Sequence, residues 1–375
     1  ANDAIRIDAT EMRMSVVGEG ANLGLTQLAR IEYAQNGGRL NTDAIDNSAG
    51  VDSSDHEVNI KILLSKAIEN GELTSEERNP LLASMTEDVA EHVLRHNYDQ
   101  TRAITQMEIT APGDLDVYAR FMTTLEREGR LDRAIEHLPD QERLAVMRQQ
   151  GLGPTRPELA VMLAYAKMWL FDELTQSDSM DDPLFERELV AYFPDPLHQF
   201  GRSIITHQLR REIIATRLSN EIVDTCGVSF VQRAAETSGV DFAVITLAYE
   251  AVRRIFNLNA FAASVDALDN KAPASLQTGL YLEASRLLRD QTFHLLGDIE
   301  AKEKLARNGL NAVVDQYESA VAEFKTALPD ILPEEAAAAL EERRQDWVES
   351  AAPEDIAREA AAIPPHGSLR GCGSH

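Results

Sequence analysis

Residues 14–64 read MSVVGEGANLGLTQLARIEYAQNGGRLNTDAIDNSAGVDSSDHEVNIKILL. Met14–Val17 opens an apolar run that ends in glycines, the pattern of a buried parallel strand feeding a loop. Leu25, Leu28, Ile31 and Ala34 recur at helical spacing, so LTQLARIEYAQN is expected to be a helix, stopped by Gly37 and Gly38. RLNTDAI, from Arg39, is a second strand candidate. Asp46 to Ser54 packs Asn, Ser, Gly and Asp into an expected loop, and HEVNIKILLSKAIENG follows as a helix closed by Gly71. Residues 12 to 70 therefore predict strand–helix–strand–helix, the unit of an α/β nucleotide-binding domain.

Two strands do not make a doubly wound sheet, which normally has roughly five or more. Most of such a sheet is expected to lie outside this chain, and the N-terminus, which lacks an initiator Met, agrees with that expectation. After Gly71 the pattern turns helical and stays so. Thr74 and Glu77 have capping-box spacing. Leu115, Tyr118, Phe121, Met122 and Leu125 share one helical face. GLGPTRP, residues 151–157, reads as a linker and a candidate boundary. RPELAVMLAYAKMWLFDELTQS is apolar nearly all round, which predicts a central helix of a bundle. From Pro333 onward Ala and Glu dominate, giving exposed helix, and IPPHGSLRGCGSH is expected to be disordered. The expected fold class is mainly α, with an N-terminal remnant of an α/β Rossmann-like dinucleotide-binding domain followed by a helical region. Residues 1–70 would be the C-terminal part of that catalytic domain and 71–150 its helical extension. Residues 151–330 would be a C-terminal helical domain, and 331–375 an Ala/Glu-rich helix and tail.

The 375 residues carry a net charge of −26, which repels a phosphate backbone and argues against nucleic acid as a partner. There is no run of about 18 consecutive apolar residues, so no membrane span is expected. The N-terminus also lacks a basic-then-apolar signal pattern. Two cysteines, Cys226 and Cys372, fit a reducing cytoplasm and make no disulfide framework. Cys226 lies in an apolar stretch and reads as a small buried hydrophobe.

GEGANLG, Gly18 to Gly24, has GxGxxxG spacing rather than GxGxxG, and Asp43 lies where an acidic ribose partner would sit. A pyrophosphate loop and a tight turn needing glycine both account for it. Ile45 to Glu57 is either a ligand loop at the carboxyl edge of a sheet or a plain capped turn. His92 and His96 have i,i+4 spacing without a third metal ligand in the pattern, so a packed or solvated helix face is preferred and no metal is expected. His56 reads as a structural histidine before a general base, and Asp52 and Asp55 as helix N-terminal acids before a catalytic pair. Arg210, Arg211 and Arg217 read as inter-helix ion pairs or a partner contact.

Over Val16 to Leu64 the sequence resembles the large, multidomain NAD-specific glutamate dehydrogenases of bacteria. The likeness continues through TRPELAVMLAYAK and LRREIIATRLSNEIVDTCGVSFVQRAAETSG, reaches about residue 300, and loosens beyond Ala327. Smaller hexameric relatives carry EGAN followed by NAGGV and a Ser, which fall here on Glu19-Gly20-Ala21-Asn22 and on Asn47 to Ser54. The resemblance implies NAD as cofactor. It implies nicotinamide-side contacts for Asn22 and Asn47, with Gly20 allowing close backbone approach. It implies that Val51 packs on the methylenes of glutamate and that Ser54 donates to its distal carboxylate. NSAG stands here in place of NAGG, and Leu23-Gly24-Leu25-Thr26 in place of GPTT. GEGANLG then becomes the nicotinamide-side loop, with the pyrophosphate loop upstream.

The resemblance further implies a parent reaction, the oxidative deamination of L-glutamate to 2-oxoglutarate and ammonia. The catalytic Lys and Asp of that family precede its matching segment, so no catalytic residue is assigned in this chain. A C-terminal fragment, inactive alone and forming a homo-oligomer through its helical region, is the expectation. Two rival readings are a non-enzymatic helical regulatory or oligomerisation module and a nucleotide-binding module centred on GEGANLG.

Overall fold

A computed structural model describes residues 6–21 and 23–363. The chain forms two compact units, residues 1–229 and 230–375, each of which is helical among its described residues. The division falls between Ser229 and Phe230.

The first unit begins with extended chain. Residues 15–17 and 39 pair in one isolated parallel bridge, Val17 N–H to Arg39 O at 2.9 Å and Arg39 N–H to Ser15 O at 2.9 Å. Helix α1, Gln27–Gln35, runs between the two segments and is capped by the Thr26 hydroxyl on the Ala29 amide. The bridge stands where two strands were expected. Val16 is exposed rather than buried, and no described segment makes a ladder. A lone bridge lacks the neighbouring strands that would satisfy the outer edges of a ladder. What holds the segment is a small apolar core of Ala9, Tyr33 and Leu40, flanked by Val17, Leu25 and Ala29. Tyr33 lies where a side chain at Gly38 would collide with it, which explains the second glycine of the pair.

Two further expectations are corrected. RLNTDAI is not a strand: its second half is helix α2, Asp43–Asp46. Asp46 to Ser54 is not a loop either, because helix α3 spans Ser48–Glu69 and starts directly after Asn47. Ser, Asn and Asp serve helix starts as readily as loops, and the burial of Ile60, Leu63, Leu64 and Ala67 further along carries the helix through.

Helices α4, Ser75–Ser84, and α5, Thr86–Thr110, follow. The Thr74–Glu77 capping box is formed. Next come α6, Leu115–Arg127, α7, Arg133–Glu136, and α8, Gln141–Gln150. The apolar face predicted for α6 is buried from Leu115 to Leu125. Helix α9, Arg156–Thr175, is the expected central helix. Pro157 sits in its first turn, Thr155 and Glu158 box its start, and it packs against α1, α5 and α12. Helices α10, Glu186–Tyr192, α11, Gly201–Ile205, and α12, Arg210–Cys226, close the unit. Arg210 and Arg211 pair with Asp181, and Arg217 with Glu188 at 3.4 Å. Cys226 is buried.

The second unit comprises α13, Phe230–Ser238, α14, Phe242–Ile255, α15, Leu258–Asp266, α16, Ala274–Gly297, α17, Ile299–Ile331, α18, Glu334–Glu349, and α19, Glu354–Ala361. Helix α14 is buried through most of its length and packs on α16 and α17. Gly309 has φ +74° and breaks α17 in two. The Ala/Glu-rich region forms α18 and α19, and the tail from Pro364 lies outside the described residues. Ile356, Ala357 and Ala360 join Phe261, Val265 and Leu280 in one core, and Trp347 packs over Gly279. No helix among the described residues is long and apolar enough to cross a membrane.

Candidate functional site

The two polar segments singled out in the sequence meet in space, and the residue that joins them is Asp46. Its Oδ2 accepts the Glu19 amide at 2.9 Å, and its Oδ1 accepts from the Asn41 carboxamide at 3.1 Å. This brings Gly20, the next residue along, beside Asn47, the residue after Asp46. A side chain at Gly20 would first meet the Asp46 carbonyl, at 3.8 Å, so glycine leaves that approach open.

Glu19 shapes the glycine-rich turn from within. Its carboxylate is buried. Oε1 accepts the amides of Gly24, at 2.8 Å, and Leu25, at 2.9 Å, while Oε2 accepts from Arg30 Nε at 2.6 Å. Burial by itself would raise this carboxyl. Arg30 and the two amides outweigh burial and hold it below the ordinary glutamate value. Arg30 also pairs with Asp43 at 2.8 Å, so Asp43, the candidate ribose partner, is committed to an internal ion pair. Asn22 lies outside the described residues.

Asn47 is the residue before α3, and its side chain lies against Gly50. An ideal Cβ at Gly50 would stand 2.6 Å from Asn47 Oδ1. The α2–α3 junction is held from α5, where the Asn97 carboxamide donates to the Ile45 carbonyl and to Ser48 Oγ, both at 2.8 Å. Val51 is 64% exposed in the first turn of α3. Ser54 is exposed one turn on, and its hydroxyl donates to the Val51 carbonyl at 2.7 Å. Gly20, Asn47, Val51 and Ser54 are all exposed.

Behind that surface, α3 turns a histidine-rich face inward that sequence reasoning treated piecemeal. His56 is fully buried. Its Nδ1 lies 3.0 Å from the Asp52 carbonyl and 3.1 Å from Asp52 Oδ1, two acceptors that require the ring proton on Nδ1. His96 Nδ1, from α5, reaches the other carboxylate oxygen of Asp52 at 2.7 Å. Tyr192 of α10 stacks on His56 with ring centres 4.4 Å apart, and its hydroxyl accepts from Asn59 at 2.8 Å. His92 meets the edge of His56 at 5.9 Å. Burial would raise Asp52, but its hydrogen bonds from His56 and His96 hold it well below the usual carboxylate range. Burial pushes Tyr192 up to about 12 and lowers His92. Asp52 therefore does not cap α3: it ties α3 to α5. The signal was present, because Asp52–His56 and His92–His96 both have i,i+4 spacing and so present pairs of polar groups on single helix faces. No group of His, Cys, Asp and Glu among the described residues is arranged to hold a metal ion.

The geometry thus defines an exposed polar edge built from two chain turns and a helix start, braced by buried charge and carried on a helical scaffold. Comparison with known proteins gives that edge a family. The family model for the bacterial NAD-glutamate dehydrogenase catalytic domain matches residues 1–107, and that for the glutamate dehydrogenase C-terminal region matches residues 149–372. An NAD-specific glutamate dehydrogenase of Halomonas elongata is 40% identical over 365 residues, which is 96% of this chain and 22% of that protein. Proteins of the same description from Pseudomonas aeruginosa and Mycobacterium tuberculosis are 40% and 36% identical over 364 and 358 residues. This chain belongs to the bacterial NAD-specific glutamate dehydrogenase family. It spans about a fifth, 22%, of the length of these curated relatives. The matched C-terminal model runs well past Ala327, where the sequence likeness was expected to loosen.

Proposed function

We propose that this chain works as the C-terminal part of a longer NAD-dependent glutamate dehydrogenase, supplying one wall of its active site. The observation that carries this reading is the Glu19–Asp46 joint. It sets Gly20 and Asn47 side by side at an exposed edge that continues into Val51 and Ser54 on α3. The parallel bridge at Val16 and Arg39, with α1 crossing between, is then the margin of a Rossmann-like sheet completed elsewhere.

The residues present fit a nicotinamide. Gly20 is open to close approach, and the Asn47 carboxamide can both donate and accept, as the amide of a nicotinamide requires. Gly20, Asn22 and Asn47 would hold the cofactor, which when bound accepts the hydride from the substrate α-carbon. Val51 would lie along the glutamate methylenes, removing its apolar surface from water on binding. Ser54 would donate its hydroxyl hydrogen bond to the distal carboxylate, exchanging the Val51 carbonyl for a charged acceptor that forms the stronger hydrogen bond. None of these groups has the position or basicity of a proton shuttle, so they bind and orient, and acid–base work falls to residues outside the chain. The parent reaction is oxidative deamination of L-glutamate to 2-oxoglutarate and ammonia, in the cytoplasm. The chain alone is expected to produce no NADH from glutamate and NAD, and measurable turnover would overturn that division of labour.

Replacement of Ser54 by Ala in the longer enzyme tests the substrate assignment. Loss of a hydrogen bond to a charged group, about 1.5–3 kcal/mol, predicts a fall of roughly 10- to 100-fold in kcat/KM for glutamate. Unchanged kinetics would sink the assignment. A homo-oligomeric role for the helical region is tested by sedimentation of the chain: a concentration-independent monomer would speak against it.

A further inference from the structure

Helix α9 begins at Arg156, in the segment that matches the C-terminal family model, yet its side chain reaches the segment that matches the catalytic domain. Arg156 Nε donates to Asn41 Oδ1 at 3.0 Å. Its Nη1 donates to Thr105 Oγ1 at 3.1 Å and to Glu108 Oε2 at 2.8 Å, both on α5. The guanidinium therefore bridges α5 and the chain before α2. Asn41 passes the contact on: its carboxamide donates to Asp46 Oδ1 at 3.1 Å, and Asp46 Oδ2 accepts the Glu19 amide. The relay ends one residue from Gly20 and one residue from Asn47.

A second line leaves the same helix start. The Pro157 carbonyl accepts from the Gln27 carboxamide at 3.1 Å, and Gln27 Oε1 accepts from Arg30 Nη1 at 3.3 Å. Arg30 holds the Glu19 carboxylate, which in turn holds the Gly24 and Leu25 amides. One line thus arrives at the backbone of Glu19 and the other at its side chain. In the first line Asn41 and Asp46 each have both polar side-chain atoms engaged, and in the second Gln27 does.

We infer that Arg156 is a positioning residue of the nicotinamide-side turn, and that the first turn of α9 is part of the active-site scaffold rather than of a separate module. This rests on the reading of Gly20 and Asn47 as cofactor contacts. Arginine is needed because its planar fork donates in two directions at once, toward Asn41 and toward α5. A lysine ammonium in the same place would keep the charge next to Glu108 but could not span both.

The first test uses the 375-residue chain and hydrogen exchange. In Arg156→Lys, the amide of Glu19 should exchange about tenfold faster, the change expected from losing one charge-assisted hydrogen bond, while the amides of Gly24 and Leu25, held through the second line, should change less. Amides in α12 should be unchanged, which separates loosening of the turn from general destabilisation. Adding Asn41→Ala to Arg156→Lys should add little, because both break one relay. Unchanged exchange at Glu19, or fully additive effects of the two replacements, would overturn the inference. In the longer enzyme, Arg156→Lys should raise KM for NAD more than it lowers kcat. If Asn47→Ala leaves the KM for NAD untouched, the cofactor assignment fails while the exchange result still judges the relay.

Discussion

Asn47 and Gly50 illustrate how little space decides a contact. The Asn47 carboxamide occupies the place a side chain at position 50 would need, so alanine there must swing the amide away. Alanine is also about 1 kcal/mol better than glycine within a helix. Gly50→Ala is therefore expected to leave the melting temperature of the chain unchanged or higher while raising the KM for NAD of the longer enzyme several-fold. A lower melting temperature with unaltered KM would contradict the role given to Asn47. The same scale shows why Glu19 was not legible as a structural centre. Its place in EGAN made it conspicuous as part of a motif, but its four partners lie at Gly24, Leu25, Arg30 and Asp46, and Asp46 is 27 residues away in sequence.

At the scale of elements, the junction of α3, α5 and α10 turns on Asp52, which accepts from histidines on two helices. Its folded-state ionisation lies below that of an unfolded aspartate, so its contribution is fully present above the ordinary aspartate range, begins to fall within that range and is lost as pH falls through the lower folded-state value. Asp52→Asn is expected to destabilise the chain at pH 7 by about 2 kcal/mol, the order of one charge-assisted hydrogen bond. The gap to wild type should close progressively in acid. Urea denaturation at pH 7 and at a series of pH values descending from 4 to 2 checks both points, and a gap that stays constant to the bottom of that series would show that the carboxylate charge is immaterial. The element scale is also where the sequence reading erred. An Asn-, Ser- and Gly-rich stretch has low intrinsic helix propensity, and Asp46 to Ser54 looked like a loop for that reason. Packing of the apolar residues from Ile60 to Ala67, and the grip of Asn97 on the α2–α3 junction, pulled the helix start back to Ser48. By contrast α6 and α9 were legible throughout, because a strong apolar face or an all-round apolar surface leaves one way to be buried.

For the whole molecule, the net charge of −26 spreads a repulsion that no single ion pair relieves. Added salt screens it, the Debye length falling to about 8 Å at physiological ionic strength. The melting temperature should accordingly rise by a few degrees between 10 mM and 300 mM sodium chloride, and a fall would mean that the internal ion pairs matter more than the overall field. The two compact units also bear on how stability is measured. A chain divided between Ser229 and Phe230 need not unfold in one step, so melting followed by two probes is required before a single free energy is quoted.

The sequence by itself determined the mainly helical character, the central place of α9, the acidity and the family, since periodicity, charge and motif are local properties of the chain. It also picked out the two segments that form the candidate edge. Tertiary structure alone decided that Asp46 joins them, that Asp52 binds histidines from two helices, and that the first turn of α9 reaches the glycine-rich turn through Arg156. Those contacts join residues 27, 44 and 115 positions apart, and a side chain of three to five bonds finds such partners only after the helices have packed. The strands fared worst for the same reason. A helix closes its hydrogen bonds within itself, whereas a strand exists only beside its neighbours, and here one parallel bridge is all that the described chain supplies.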